Sequence, residues 1–178
     1  LEKVIRSIEF EPRKYENTFT LDQDTFRLAS TMNDPQLLVL TAFWREGKYH
    51  QIHNRYIEAI YNFYFIIEDL VLKGKSKGVE KILIKKPEFI GICRTYLMRL
   101  ACDEEKNDLL KFISFDLQET TPDNIARFIC NARGNLHHFN SNKKDKKPFP
   151  YDQASYYSLS IFFELVTWNI IHNLTRKQ

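Results

Sequence analysis

The sequence predicts an all-α protein: an up-and-down bundle of four to six helices, preceded by a short irregular N-terminal segment. Apolar residues recur every three or four positions over long stretches, which is the period of an amphipathic helix. Only 5 Gly and 6 Pro occur among 178 residues, fewer turn-forming residues than a fold of strands and turns requires. Hydrophobic residues make up 43% of the chain, so it can bury a core of its own.

The N-terminal segment differs from the rest of the chain. Residues 1–33 mix charged and apolar positions and fit a lead-in, either the end of a preceding domain or a linker. A short helix is expected within it, from Asp22 to Met32. Because the chain begins with Leu1 rather than Met, we expect an N-terminal domain or partner outside this chain. Residues 34–178 are expected to form the helical bundle.

The bundle is predicted to open at Asp34-Pro35, an N-cap followed by a proline at the first helical position. Gly47 is expected to break or kink this first helix. The strongest helix is predicted from Tyr49 to Leu72, with an apolar stripe broad enough to be buried on two sides. The stripe comprises Ile52, Tyr56, Ile60, Phe63, Ile67 and Leu70, widened by Tyr61, Tyr64 and Phe65.

Shorter helices follow a basic loop. Two glycines in the loop at 73–78 are expected to end the preceding helix, and Val79–Ile84 resumes helical spacing. Pro87 marks a boundary or a restart, and helical spacing continues over Phe89–Leu100. Asp103 is expected to cap a further helix, whose apolar face is Leu109, Leu110, Ile113 and Phe115.

Two helices are predicted in the last third of the chain. Thr121 and Pro122 supply a cap and a first helical residue, and the helix they open carries Arg133 near its C-terminal end. Its buried stripe is Ile125, Phe128, Ile129, Ala132 and Leu136. After a polar loop at 141–150, the last helix is expected from Tyr151 to Leu174. Its inward residues are Tyr157, Ile161, Leu165, Trp168 and Ile171.

Several classes of protein are disfavoured. Three cysteines with no CxxC pair argue against a disulfide framework and fit a reducing, cytoplasmic location. Without a CxxC or HExxH motif we expect no metal and no other cofactor. The longest apolar run, Tyr61 to Leu72, is short and interrupted by polar residues, so no membrane span or signal peptide is expected. The net charge of +3 permits a nucleic-acid partner only if the cations cluster.

Candidate catalytic side chains are concentrated in residues 131–140, a stretch that holds one arginine, two histidines and three asparagines. Arginine is permanently cationic and histidine ordinarily titrates near neutrality, so Arg133 and His138 could handle protons around a phosphate. The same spacing occurs at Arg45 and His50, so spacing alone cannot choose between the pairs. Basic residues at a helix C-terminus also complement its dipole without any function.

Arg133-Gly134-Asn135-Leu136-His137-His138 closes the penultimate helix and is followed by a polar loop and one long last helix. This order resembles the HEPN superfamily, whose four- or five-helix domains carry an R-x4-6-H motif near the end of the penultimate core helix. The likeness covers about residues 35–174, and the position in the chain resembles the ApeA-like C-terminal branch found in phage-defence proteins. The resemblance implies a HEPN-like bundle in a defence or toxin-type protein.

The resemblance also implies metal-independent RNA cleavage. Arg133 and His138 would be catalytic, because one stabilises phosphate charge and the other carries protons. Asn135 would orient the phosphate or the histidine ring, and Glu68, in an earlier core helix, would be a partner of Arg133. His137 lies nearer to the face of Arg133 on an ideal helix and is an alternative catalytic histidine. HEPN ribonucleases generally build the site across a dimer, so a homodimer is expected.

RNA is the partner that this resemblance implies. Its backbone could be held by the lysine-rich loops at 73–77 and 143–147, although charged loops are usually just solvated. The lysines of the second loop are Lys143, Lys144, Lys146 and Lys147.

Gly134 departs from the HEPN pattern, because the residue after the motif arginine is commonly polar and often Asn. The site is therefore either served by Asn135 or weakened. A second function stays open: a catalytically silent HEPN-like domain for dimerisation, nucleotide sensing or scaffolding. A third is an unrelated helical interaction domain, in which Arg133 and His138 point to different faces. Asn140 stands where one HEPN variant has a tyrosine, so regulation through a modified tyrosine is not supported.

Overall fold

The computed structural model describes residues 35–101, 107–137 and 152–175. These residues form six α-helices and three short 3₁₀ segments, with no strand among them, so the predicted all-α bundle is confirmed. The α-helices are α1 (Pro35–Ile52), α2 (Tyr56–Leu70), α3 (Val79–Ile84), α4 (Pro87–Ala101), α5 (Pro122–His137) and α6 (Tyr157–Thr175). The 3₁₀ segments are Asn107–Phe112, Leu117–Glu119 and Gln153–Tyr156.

Two helices organise the packing. α6 contacts α1, α2 and α4, while α1 packs mainly along α2 and α3 mainly along α5. α2 packs against both α1 and α6, as the breadth of its apolar stripe predicts. Its buried residues are Ala59, Ile60, Phe63, Tyr64, Ile66 and Ile67.

The predicted break at Gly47 is wrong. α1 continues through Gly47 to Ile52, and the chain turns instead at Asn54, which has a positive φ of 56°. The helix predicted from Tyr49 to Leu72 is therefore two helices. A Cβ at Gly47 would lie 2.5 Å from Cε1 of Phe63 on α2. Glycine is thus present because α1 approaches this buried ring closely.

The predicted core is only partly buried. Phe65 is 45% exposed and lies beside Phe43 at the surface, so the aromatic stripe of α2 is narrower than expected. Ile52 is 50% exposed because it ends α1 and does not belong to the buried stripe of α2. Tyr157 was expected to point inward, yet it is the first residue of α6 and packs edge-on against Tyr56, 38% exposed.

The helix starts that a proline marks are the best-predicted boundaries. Pro35, Pro87 and Pro122 are the first residues of α1, α4 and α5. Thr121 caps α5, since its hydroxyl accepts a hydrogen bond of 3.2 Å from the Asn124 N–H. Proline suits a first helical position because the N–H that it lacks has no partner there.

Other boundaries were wrong or lie outside the described residues. The segment Asn107–Phe112 is 3₁₀ rather than α-helical, although Leu109 is fully buried as expected. α6 begins at Tyr157 and not at Tyr151, because a 3₁₀ turn precedes it. The lead-in at 1–33, including its predicted short helix, and the predicted Asp103 cap lie outside the described residues.

A distant glutamine caps α2. The Ile57 N–H donates to Oε1 of Gln153 (2.9 Å), and Nε2 of Gln153 donates to Oε2 of Glu58 (3.0 Å). Arg55 donates to the other oxygen of Glu58 at 3.1 Å. Burial acts to raise the pKa of Glu58, but hydrogen bonds from its own backbone, Arg55 and Gln153, together with the Arg55 charge, hold the pKa below its ordinary value. The segment before α6 is thereby tied to the start of α2.

Candidate functional site

Two helix faces meet at the candidate site. On α2, Tyr61, Tyr64 and Glu68 recur at helical spacing and so lie on one side of the helix. On α5, Cys130 and Arg133 are three residues apart and also lie on one side. Side chains from these two faces contact each other, so a periodic pattern in each helix produces one cluster of polar groups.

Arg133 is held by two residues of α2. Its Nη2 lies 2.6 Å from Oε1 of Glu68, and its guanidinium carbon lies 5.4 Å from the centre of the Tyr64 ring. The Arg133 and Glu68 side chains are 32% and 26% exposed, so this ion pair is partly shielded from water. The guanidinium is therefore fixed in direction by an ion pair at one edge and an aromatic ring on its face.

Two donors at this cluster have no acceptor. Nε of Arg133 and the hydroxyl of Tyr64 are both buried and have no hydrogen-bond partner in the described part of the chain. Burial raises the pKa of Tyr64 well above its ordinary range, although the Arg133 charge opposes this shift. The phenol therefore stays protonated at neutral pH and can donate a hydrogen bond.

Cys130 completes this wall of the cluster. Burial and the Glu80 charge raise the pKa of its thiol to about 11, against the opposing effect of Arg133. At neutral pH it is a thiol rather than a thiolate, so Cys130 is a weak nucleophile. The chemistry of the cluster thus belongs to Arg133 and Tyr64 and not to the cysteine.

The cluster opens onto a cleft of about 610 Å³. Its walls come from α2, α3, α5 and the loop before α3, and they include Tyr64, Ser76, Gly78, Lys81, Cys130 and Arg133. Glu80 and Asp123 also line it, so the cleft carries both signs of charge and is not the uniformly basic groove typical of nucleic-acid binding. Gly78 has a positive φ of 66°, which lets the loop turn into the wall.

The end of α5 is tied to α2 as well. The Tyr61 hydroxyl donates to the carbonyl oxygen of Leu136 at 2.9 Å. Carbonyl groups in the last turn of a helix lack partners within the helix, so this bond satisfies one of them. It also ties the C-terminal end of α5 to α2.

The structure brings some predicted site residues together and leaves others undescribed. Arg133 and Glu68 are in contact. Asn135 and His137 lie in α5, but their side chains are not among those described. The catalytic candidate His138 lies outside the described residues, and so do the proposed RNA contacts Lys143, Lys144, Lys146 and Lys147.

The competing pair on α1 does not line the cleft. Arg45 and His50 lie five residues apart on one continuous helix, roughly 140° apart around its axis. Arg45 is exposed, whereas Nε2 of His50 lies 3.6 Å from a carboxylate oxygen of Glu46. Neither side chain lines the cleft, so the structure favours Arg133 over Arg45 as the candidate.

Tyr64 and the cleft were not predicted as site features. The sequence pattern places Tyr64 in the core, and it is indeed buried. Its spacing of four residues from Glu68 was the available signal, because the two side chains must then share a face.

No group of three or more potential metal ligands occurs in the three described ranges. Over the same residues, no helix combines the length and the apolar character that crossing a membrane requires.

Comparison with known proteins gives no relative. No protein-family model, no curated protein and no solved structure matches the chain. The assignment of a function therefore rests on the residues and geometry of the cluster around Arg133.

Proposed function

We propose that this bundle is the metal-independent RNA endonuclease domain of a defence or toxin-type protein, with Arg133 and His138 as its catalytic residues. One observation carries the proposal: Arg133 is fixed by Glu68 and Tyr64 on the wall of an open cleft that could admit a nucleotide. The R-x4-H spacing and the position of the motif at the end of α5 supply the HEPN resemblance.

Arg133 would stabilise the transition state. During cleavage the ribose 2′-oxygen attacks the adjacent phosphorus, and negative charge increases on the non-bridging oxygens. A guanidinium that is already oriented can donate hydrogen bonds to these oxygens without reorganising at the moment of reaction. Glu68 contacts Nη2, and Nε has no hydrogen-bond partner in the described residues, so Nε remains for the phosphate.

His138 would move the protons. The bond from the 2′-oxygen to phosphorus forms as the bond to the 5′-oxygen breaks, giving a 2′,3′-cyclic phosphate and a 5′-hydroxyl end. A base accepts the proton of the 2′-hydroxyl, and an acid supplies one to the leaving oxygen. One histidine cannot do both at once, so His137 or a second copy of His138 in a homodimer would act as its counterpart.

Cations near the cleft would hold the RNA backbone. Lys81 lines the cleft, and the exposed Lys73, Lys75 and Lys77 belong to the loop that leads into it. Such contacts neutralise phosphates without reading the sequence. Lys143, Lys144, Lys146 and Lys147, beyond α5, are proposed to extend this surface.

A catalytically silent HEPN-like domain is the second candidate, and Gly134 favours it. A Cβ at this position would meet nothing within 4 Å, so packing does not require a glycine there. The absence of the polar side chain that usually follows the motif arginine would therefore change the site and not the fold. In this case the cleft would bind a nucleotide or RNA for sensing or scaffolding without cleaving it.

A ribonuclease assay in the presence of EDTA tests the first function. Wild type is compared with Arg133→Ala and His138→Ala, and Arg45→Ala serves as the control because it removes the arginine of the other R-x4-H pair. We expect cleavage by wild type and Arg45→Ala, with 2′,3′-cyclic phosphate ends, and a loss of at least ~100-fold in the two site variants. Cleavage that survives in either site variant contradicts the proposed site.

A further inference from the structure

Two buried donors that face no protein acceptor are the most unusual feature of the cleft. Tyr64 is only 4% exposed, yet its hydroxyl makes no hydrogen bond in the described part of the molecule. The same is true of Nε of Arg133. Buried polar groups in folded proteins are nearly always bonded, so such a pair indicates an absent partner.

Both donors belong to side chains of the same cleft. Tyr64 and Arg133 both line it, and the guanidinium lies over the Tyr64 ring. The charges of Arg133 and Glu68 both act on the Tyr64 hydroxyl, so this end of the ring lies near the ion pair. Glu68 already accepts from Nη2, and Tyr64 Oη and Arg133 Nε remain without an acceptor.

An oxyanion is the partner that fits this arrangement. It offers several acceptor oxygens and a negative charge, so one group can accept from both donors at once and its hydrogen bond to the guanidinium is charge-assisted. The cleft, at about 610 Å³, has the size typical of sites for small ligands. Lys81 in the wall adds a second cation.

We propose that the Tyr64 hydroxyl and Nε of Arg133 together form a phosphate subsite, in which Tyr64 contacts the bound phosphate group directly. This inference rests on the proposed function in so far as the phosphate belongs to RNA. Tyr64 donates a neutral hydrogen bond and transfers no proton, because its hydroxyl stays protonated throughout the neutral range.

Removal of a single oxygen atom tests the subsite. Tyr64→Phe deletes the hydroxyl and keeps the buried ring, and Tyr49→Phe makes the same deletion at an exposed tyrosine of α1 that does not line the cleft. Arg133→Lys keeps the positive charge but removes Nε. The probes are inorganic phosphate and a 2′-O-methyl oligoribonucleotide, which lacks the attacking hydroxyl, with binding measured by calorimetry.

We expect Tyr64→Phe and Arg133→Lys each to weaken the binding of both probes by ~10–100-fold, and Tyr49→Phe to bind like wild type. The Tm of Tyr64→Phe should be unchanged or higher, because the hydroxyl has no protein partner to lose. A purely structural tyrosine would show the opposite: lower Tm and unaltered binding. Unchanged binding by Tyr64→Phe, or a wild type that binds neither probe, overturns the inference.

Failure of the phosphate subsite can be distinguished from failure of the proposed nuclease. If wild type binds both probes through Tyr64 but cleaves no RNA, the nuclease proposal fails and the phosphate subsite stands. If Arg133→Ala abolishes cleavage while Tyr64→Phe binds and cleaves like wild type, the subsite fails and the nuclease stands. In an active enzyme, Tyr64→Phe should lower kcat/KM without moving its pH profile, since a protonated phenol does not titrate there.

Discussion

At the scale of single residues, Glu68 controls how Arg133 is presented to the cleft. The two side chains are partly exposed, so we expect Glu68→Ala to lower the free energy of unfolding by only about 1 kcal/mol. The larger effect should be on function, because without Glu68 the guanidinium loses its fixed direction. We expect kcat for RNA cleavage to fall ~10-fold. Urea unfolding and single-turnover cleavage measure the two effects. Glu58→Ala, at the far end of α2, is the control that should leave kcat unchanged.

The Cys130 thiol reports on the charge of Arg133, and the buried Cys93 thiol provides a comparison. Burial raises the pKa of Cys93 far above its ordinary range, and that of Cys130 is raised to about 11. At pH 8 roughly one Cys130 thiol in a thousand is ionised, so iodoacetamide should label it slowly and faster as pH rises towards 11. Arg133→Ala removes a charge that lowers this pKa and should slow the labelling. Peptide mass spectrometry follows each cysteine, and Cys93 should react only on unfolding.

Single residues were predicted where a local rule fixes them. The sequence identified Arg133 by its position near a helix end, and the resemblance to HEPN domains named Glu68 as its partner. Tyr64 was missed because periodicity distinguishes buried from exposed faces but does not show whether a buried hydroxyl finds a partner. His138 and Asn135 stay predictions, since the structure describes neither side chain.

At the scale of helices, Gly47 sets the distance between α1 and α2. An alanine would gain about 1 kcal/mol in helix propensity, but its Cβ would press on the fully buried Phe63 ring. We expect a net loss of about 1–2 kcal/mol in the free energy of unfolding for Gly47→Ala. Gly91→Ala, where nothing lies within 4 Å, should instead gain about 0.5–1 kcal/mol. Denaturant titration of both variants distinguishes close packing from helix propensity.

The cap at the start of α2 makes stability depend on pH. The folded pKa of Glu58 is depressed, so its stabilising contribution is present above its unfolded pKa of about 4.5 and is lost as pH falls through the folded value. We expect Glu58→Gln to be less stable than wild type at pH 7 and to approach wild type at pH 3. Gln153→Ala should cost about 1–2 kcal/mol at pH 7, since it leaves the Ile57 N–H unpaired. A gap that is equally large at pH 3 for Glu58→Gln would contradict the assignment.

The helix starts at Pro35, Pro87 and Pro122 were predicted well because proline and a capping threonine act locally. The turn at Asn54 was missed because the apolar spacing continues across it, from Ile52 to Tyr56, as if the helix were unbroken. The break predicted at Gly47 was wrong for a related reason. Helix propensity registers the missing side chain, but only the three-dimensional packing shows that the space is taken by Phe63.

At the scale of the whole molecule, the bundle class followed from periodicity and composition, whereas the homodimer is a prediction that comes only from the resemblance to HEPN domains. If two copies share one site, a mixture of Arg133→Ala and His138→Ala should recover part of the cleavage, because mixed dimers hold one intact arginine and one intact histidine. Activity of the mixture is compared with each variant alone, and light scattering gives the mass. A monomer that cleaves RNA would show that His137 or another group of the same chain completes the site.

The bond between Tyr61 and the Leu136 carbonyl, with the contacts of Tyr64 and Glu68 to Arg133, links the motif to α2 over two helical turns. A short motif such as R-x4-H is too common to identify distant relatives on its own. A two-part pattern, Tyr-x2-Tyr-x3-Glu in an early helix and Cys-x2-Arg-x4-His in the penultimate one, is far rarer in unrelated chains. Searching genomes for both halves together, in that order, would separate chains that share this site from those that share only the spacing.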